Sequence, residues 1–270
     1  MIHYRDRNCT VFQSAIFQTN ATVIETPDLI LVVDPTWLPH EIEAIRQWVA
    51  SRPAKPLFIL FTHGDYDHIV GFGAFSGATL IGSAALPERP DREKILAQIR
   101  EFDETYYIDR QYPVAYPDID VEVATDGQRL QTGGTVLTFY QAPGHTRDGI
   151  FTVVEPLGIL LAGDYLSDIE FPFLEDSVQY QQTLHKAETL MGQGAIKLLI
   201  PGHGGVTQSP VAMLQRIQAS QQYIRELCEG VKSNDEERLG QMIAGYSYQT
   251  FLQEHHRANR QTVMDELHRT

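Results

Sequence analysis

Five apolar segments of this 270-residue chain each stop at a histidine or an aspartate. They run into THGDYDH (62–68), APGHT (142–146), LAGD (161–164), PGHG (201–204) and, less directly, VVD (32–34). A short apolar run bounded by turn residues reads as a buried strand, and side chains at strand ends can converge on one edge of a sheet. No other feature constrains the fold as tightly. It calls for a layered, strand-rich molecule with its polar chemistry gathered at strand termini.

The rest of the pattern agrees. CTVFQSAIF (9–17) and ATVIE (21–25) read as strands around the polar turn Gln18-Thr19-Asn20, and LILVVD (29–34) reads as a strand buried on both faces. Pro39 opens a helix to about Ala50, with Ile42, Ile45 and Val49 at helical spacing. PLFILFTH (56–63) is a second buried strand that enters a loop and a short helix. Further strands are expected at 78–81, 119–123, 128–131, 135–142, 149–154, 158–164 and 197–200, with Glu155-Pro156-Leu157-Gly158 as a hairpin turn. Helices are expected at 92–102, 177–192 and 210–228, and the residues from Ser233 are charged and helical in pattern. The tyrosine- and proline-rich stretch 105–117 reads as a loop over a pocket. Two β-rich halves flanked by helices imply an α+β sandwich of four layers, two sheets face to face under helices. Residues 1–208 form the expected domain, and 209–270 a helical extension packed on it.

His63, Asp65, Asp67 and His68 put two imidazoles and two carboxylates into six residues. Nitrogen and oxygen donors at that density suit zinc, iron or manganese. Alternate residues of a tight loop can face two ions about 3.5–4 Å apart. Cys9 and Cys228 lie far apart in no motif, so they read as plain thiols of a reducing compartment. Asp34 reads as a carboxylate that holds the metal loop through backbone amides. His3, His40, His185, His255, His256 and His268 fall outside the motifs and read as surface or capping residues. The run IEFPFLED (169–176) reads equally as pocket lip or as core.

Taken together, His63-Gly64-Asp65-Tyr66-Asp67-His68, then His145, Asp164 and His203, resemble the motifs of the metallo-β-lactamase superfamily, whose first motif is H-x-H-x-D-H. The resemblance spans roughly residues 9–205 and implies that family's αββα sandwich, with the site where the two sheets meet. It implies that His63, Asp65 and His145 hold one divalent ion, that Asp67, His68 and His203 hold a second, and that Asp164 bridges them. Asp65 stands where the family usually has a second histidine, and a carboxylate there favours iron or manganese relative to a zinc-only site. Zinc remains the first expectation for both ions. Asp67 and Tyr165 are the expected catalytic residues, and Tyr165 and Tyr66 are candidates for donating to a developing oxyanion.

The function this implies is hydrolysis of a small carbonyl substrate (a lactone, thioester, ester or amide) by a metal-bound hydroxide. Hydrolysis of a small phosphodiester and an iron-dependent oxidoreductase reaction are the alternatives. The net charge of −14 disfavours nucleic acid and anionic membrane as partners. No apolar run is long enough to span a membrane, and the charged N-terminus MIHYRDRNCTVF lacks a secretory core. A cytoplasmic enzyme with a small-molecule substrate is expected, and a homodimer is compatible with this reading.

Overall fold

The computed structural model describes residues 1–269. Strands β1 (Ile2–Arg5), β2 (Cys9–Gln13), β3 (Asn20–Glu25), β4 (Ile30–Val33), β5 (Leu57–Leu60), β6 (Thr79–Ser83) and β7 (Val121–Val123) form a seven-stranded sheet in that order. It is antiparallel from β1 to β4 and parallel from β4 to β7. A second sheet has five strands, β8 (Gln128–Thr132), β9 (Thr135–Gln141), β10 (Ile150–Glu155), β11 (Ile159–Leu161) and β12 (Leu198–Ile200), ordered β12-β11-β10-β9-β8. The expected turn Glu155–Gly158 joins β10 to β11, with Gly158 at φ 70°.

The four-layer αββα sandwich expected from the sequence is the one observed, and strand alternation explains it. Successive residues of a strand face opposite sides. In β4, Leu31 and Val33 enter the core between the sheets, whereas Ile30 and Val32 enter the core beneath the outer helices. In β10, Ile150 and Val154 point inward while Phe151 and Val153 point to the opposite helices. This is why both strands read as unbroken apolar runs. Helices α1 (Pro39–Ala50) and α3 (Arg92–Thr105) cover the seven-stranded sheet through Ile42, Ile45, Ile95 and Ile99. Helices α4 (Ser177–Gly192), α5 (Pro210–Ser233), α6 (Glu236–Gln241) and α7 (Gln249–Arg269) form the opposite layer. Leu184, Ile217, Ile224, Leu239 and Val263 pack there against Phe151 and Leu160. A four-residue helix, α2 (Tyr66–Ile69), follows β5.

β1 was not expected. Its four residues IHYR alternate too briefly to stand out and are largely exposed, Tyr4 alone packing on the inter-sheet core, because an edge strand needs no second buried face. Cys9 and Cys228 are both free. No helix of the described residues is long and apolar enough to cross a membrane.

Glu41 ties the start of α1 to the β2–β3 loop. Its carboxylate accepts hydrogen bonds from Leu38 N–H at 3.0 Å, Ala15 N–H at 3.0 Å and the Ser14 hydroxyl at 2.7 Å. Burial raises its pKa, but these hydrogen bonds and one from the Trp37 N–H outweigh burial, and the net direction is down. A carboxyl held below its unfolded value stabilises the fold above that value, and the benefit fades as pH falls through the folded one. Glu41→Gln is therefore expected to cost about 1–3 kcal/mol at neutral pH. The gap from wild type should close below about pH 4; thermal melts of both proteins at pH 7 and in acid check this, and a gap that does not narrow in acid removes the ionic assignment.

Candidate metal centre

Four histidines reach one space from strand ends on both sheets. β5 continues through Thr62 to His63, and the carbonyl of Thr62 accepts the N–H of Ile150 at 2.8 Å, joining the first sheet to the second. His68 lies on α2, His145 follows β9, Asp164 follows β11 and His203 follows β12. Thr19, in the β2–β3 loop, forms an isolated bridge with His203, so these two sheet edges also touch.

Each of the four rings has its Nδ1 beside an oxygen outside the cluster. The partner is Thr62 Oγ1 for His63 at 3.1 Å, Asp34 Oδ2 for His68 at 2.9 Å, the Phe173 carbonyl for His145 at 3.0 Å and the Phe17 carbonyl for His203 at 2.9 Å. Thr62 spends its own hydroxyl proton on Asp34 at 2.6 Å, so its oxygen accepts from His63. Acceptors at every Nδ1 assign the proton there and leave the Nε2 lone pairs to the cluster. Asp164 stands among them. Its Oδ2 is 3.7 Å from His63 Nε2, 3.4 Å from His145 Nε2 and 3.3 Å from His203 Nε2, and its Oδ1 is 3.1 Å from His68 Nε2. Asp65 Oδ2 lies 3.7 Å from both His63 and His145, and Asp67 Oδ2 lies 3.4 Å from His203 and 3.6 Å from His68.

The donor set fits divalent cations. His63, Asp65 and His145 present ligand atoms within 4.8 Å of one another, as do Asp67, His68 and His203, and as do His63, His68 and Asp164. The Nε2 atoms of His63, His68 and His145 and Oδ1 of Asp164 are buried without a hydrogen-bond partner. Buried polar atoms are rarely left so, and four in one cluster mark a place for a charge. Close approach of the backbone matters as well: a side chain at position 202 would collide with Asp164 Oδ1, which explains Gly202.

The electrostatics follow from the same crowding. Burial, with the neighbouring His68, pushes His63 well down. Burial alone would lower His145 and His203 too, but the hydrogen bond and charge of Asp164 carry them up to about 9 and about 10. Burial would raise Asp164, yet His203, His68 and His63 hold it well below the usual carboxylate range. A cation competes with protons for these lone pairs.

Sequence reading missed several residues here. Arg89 binds Asp65 Oδ1 at 2.8 Å and the buried Asp148 at 3.0 Å, and Asp148 accepts the Gly64 N–H at 2.7 Å. One oxygen of Asp65 is thus spent on a guanidinium, and the other faces His63 and His145. Glu170, from the 169–176 run, sits near His203 and Asp164, and burial lifts its carboxyl to about 7. The carbonyls of Phe17 and Phe173 carry no signature in sequence, since every residue has one.

Three expectations need correction. The Tyr165 hydroxyl accepts from His145 N–H at 3.0 Å and faces the carbonyls of Pro143 at 2.8 Å and Ala142 at 3.2 Å. At 2% exposure, with its proton committed to backbone, it positions the His145 loop and is not directed at a substrate oxyanion. The loop 105–117 does not line the cleft beside the site. Tyr112 and Tyr116 pack on the outer-sheet core, and Arg110 ties the loop to Asp103 and the Trp37 carbonyl. That cleft, of about 660 Å³, is lined by Asp65, Tyr66, Arg89, Ile95, His145, Phe173 and His255 among others, so α3 and α7 form its walls. His255 and His256 are not surface residues either. His255 packs edge-on against Phe173 at 4.1 Å, and His256 is buried on the Tyr223 hydroxyl at 2.8 Å. The 169–176 run serves both expected uses, Phe171 being core and Phe173 cleft wall.

Comparison with known proteins agrees with this geometry. The sequence model of the metallo-beta-lactamase superfamily matches residues 15–203. The atrochrysone carboxyl ACP thioesterase of Aspergillus chevalieri is 26% identical over 205 residues, covering 74% of this chain and 56% of the relative. Its counterpart from Aspergillus fumigatus is 24% identical over 176 residues, covering 64% and 46%. The chain spans about half the length of these curated relatives. Among solved structures, a metallo-beta-lactamase family protein from Thermus thermophilus aligns with 97% of this chain and 93% of its own, at TM-score 0.69 and 17% identity. At that identity the likeness speaks to fold alone.

Proposed function

Because the chain belongs to the metallo-beta-lactamase superfamily, we propose that it is a metal-dependent hydrolase of a small carbonyl substrate, with thioesters the first of the class. The observation that carries this reading is the set of four histidines with Nδ1 engaged outward and Nε2 aimed at shared carboxylates. In this reading His63, Asp65 and His145 hold one ion, Asp67, His68 and His203 hold another, and Asp164 serves both. Divalent ions held there supply Lewis-acid polarisation of a carbonyl and make water nucleophilic near neutral pH.

The chain's own residues do the remaining work. Asp34 and Thr62 fix the rings of His68 and His63. Tyr66 lines the cleft beside Asp65, and burial keeps its phenol protonated, so it replaces Tyr165 as the proposed donor to a developing oxyanion. Phe173, Leu174 and Ile95 give the cleft apolar walls suited to an acyl group. The thioester preference is supported by the two fungal relatives, which are named thioesterases. Zinc is the proposed ion, because four imidazoles lead the donor set and Arg89 offsets the negative charge that Asp65 adds.

Purified protein loaded with Zn²⁺ and offered matched chromogenic thioester, lactone, ester and phosphodiester substrates tests the reading. Turnover fastest on the thioester and abolished by a chelator is expected. Turnover confined to the phosphodiester, or persisting unchanged after chelation, would rule it out.

A further inference from the structure

The carbonyls of Phe173 and Phe17 accept the Nδ1 protons of His145 and His203 and thereby fix the rotation of both rings. A backbone carbonyl is only as well placed as the residues on either side of it. Both of these lie on loops, and both loops rest on α7.

Asn259 of α7, 2% exposed, serves the first. Its Oδ1 accepts the Leu174 N–H at 2.8 Å, and its Nδ2 donates to the Pro172 carbonyl at 2.6 Å. One amide thus pins the residues before and after Phe173. The same Nδ2 also donates to the Tyr223 hydroxyl at 2.9 Å, which locks the amide's orientation from α5. One turn further along, the Thr262 hydroxyl donates to the Leu174 carbonyl at 3.1 Å.

Phe251 serves the second. Its ring stacks on that of Phe17, with centroids 4.9 Å apart and planes at 30°. Phe17 and Gln18 hold φ of 53° and 50°, a left-handed conformation that side-chain-bearing residues adopt only where their surroundings impose it. Those surroundings include α7: besides the stacked rings, Gln18 Nε2 donates to the Tyr248 hydroxyl, just before the helix, at 2.6 Å.

We propose that α7 is a positioning element of the metal centre, Asn259 fixing the carbonyl that orients His145 and Phe251 the one that orients His203. The inference rests on the metal-centre reading above and extends the site's support into a helix outside the stretch matched by the family model. Neither residue touches a metal ligand directly. Asn259 acts through the Phe173 carbonyl, whereas Phe251 acts through the Phe17 carbonyl and also meets the Phe173 ring edge-on at 6.0 Å, so its removal loosens both loops.

The test uses the full chain. Zn²⁺ affinity is measured by competition with a chromophoric chelator, and the visible absorption of the Co²⁺-loaded protein is recorded, for wild type, Asn259→Ala and Phe251→Ala. Val263→Ala is the packing control, because Val263 is buried on the same helix and bonded to neither loop. Loss of an outer partner of a metal-bound histidine typically lowers affinity about 10–100-fold. That loss, with altered Co²⁺ bands, is expected for Asn259→Ala and Phe251→Ala, while Val263→Ala melts earlier and binds as wild type. Should the alanine variants not fold, Asn259→Asp, which keeps the acceptor for Leu174 and loses the donor for Pro172, and Phe251→Leu replace them with smaller expected losses. Wild-type affinity in the folded variants at both positions overturns the proposal, and so does an equal loss in Val263→Ala. A wild-type protein that binds neither ion overturns the metal-centre reading itself, and with it this inference.

Discussion

Replacing Asp164 by alanine is expected to remove bound metal and hydrolysis together. Its two oxygens lie 3.1–3.7 Å from the Nε2 atoms of all four histidines, so a single carboxylate serves both halves of the cluster. Without it, His63 and His68 lose the anionic group they share, and two cations held there would face one negative charge fewer. Loss of a group that merely supports a ligand costs about 10–100-fold in affinity or activity, and a ligand common to both ions should cost at least the upper end. Elemental analysis after gel filtration, paired with rates on the preferred substrate, measures both consequences. Asp164→Asn keeps the shape and one acceptor oxygen and should retain part of the metal. Full metal content and rate in Asp164→Ala would sink the bridging assignment.

Asp34→Ala comes second in expected size, although Asp34 reaches the cluster only through its neighbours. The carboxylate is 1% exposed and takes three hydrogen bonds, from Thr62 N–H at 2.9 Å, from the Thr62 hydroxyl at 2.6 Å and from His68 Nδ1 at 2.9 Å. Its removal frees the His68 ring to rotate and strands buried donors, each at about 1–3 kcal/mol. A drop of about 10–100-fold in metal affinity is expected alongside a lower melting temperature. Thr62→Val separates the two effects, because it deletes the hydroxyl link to His63 and leaves the Asp34–His68 contact in place. Its affinity should fall less. An Asp34→Ala protein that melts early yet binds Zn²⁺ as wild type does would confine Asp34 to stability.

The layers and the donor motifs were legible because both are written in side-chain type. β4 and β10, buried on two faces, read as unbroken apolar runs, and the chemistry-bearing residues stand directly after strands. Asp34 was legible for the same reason, as a carboxylate at a strand end. What stayed hidden depends on direction and on the main chain. The Tyr165 hydroxyl is set by where the 142–145 backbone runs, which no spacing rule gives. Arg89 reaches Asp65 from the turn ahead of α3, far in sequence from the loop it serves. His255 and His256 are adjacent, so on a helix they point about 100° apart. One reaches the cleft and its neighbour enters the core, and the charged residues around them concealed both fates.

The side chains of the cluster belong to opposite halves of the sandwich. His63, Asp65, Asp67 and His68 follow a strand of the larger sheet, whereas His145, Asp164 and His203 follow strands of the smaller one. A cation seated among them would act as a clasp that has to open before the halves part. By mass action, free ion at a hundred times its dissociation constant would add about 2.7 kcal/mol to the work of unfolding. Heat and chelators would then pull on the same fastening, at the seam where the two leaves of the molecule meet.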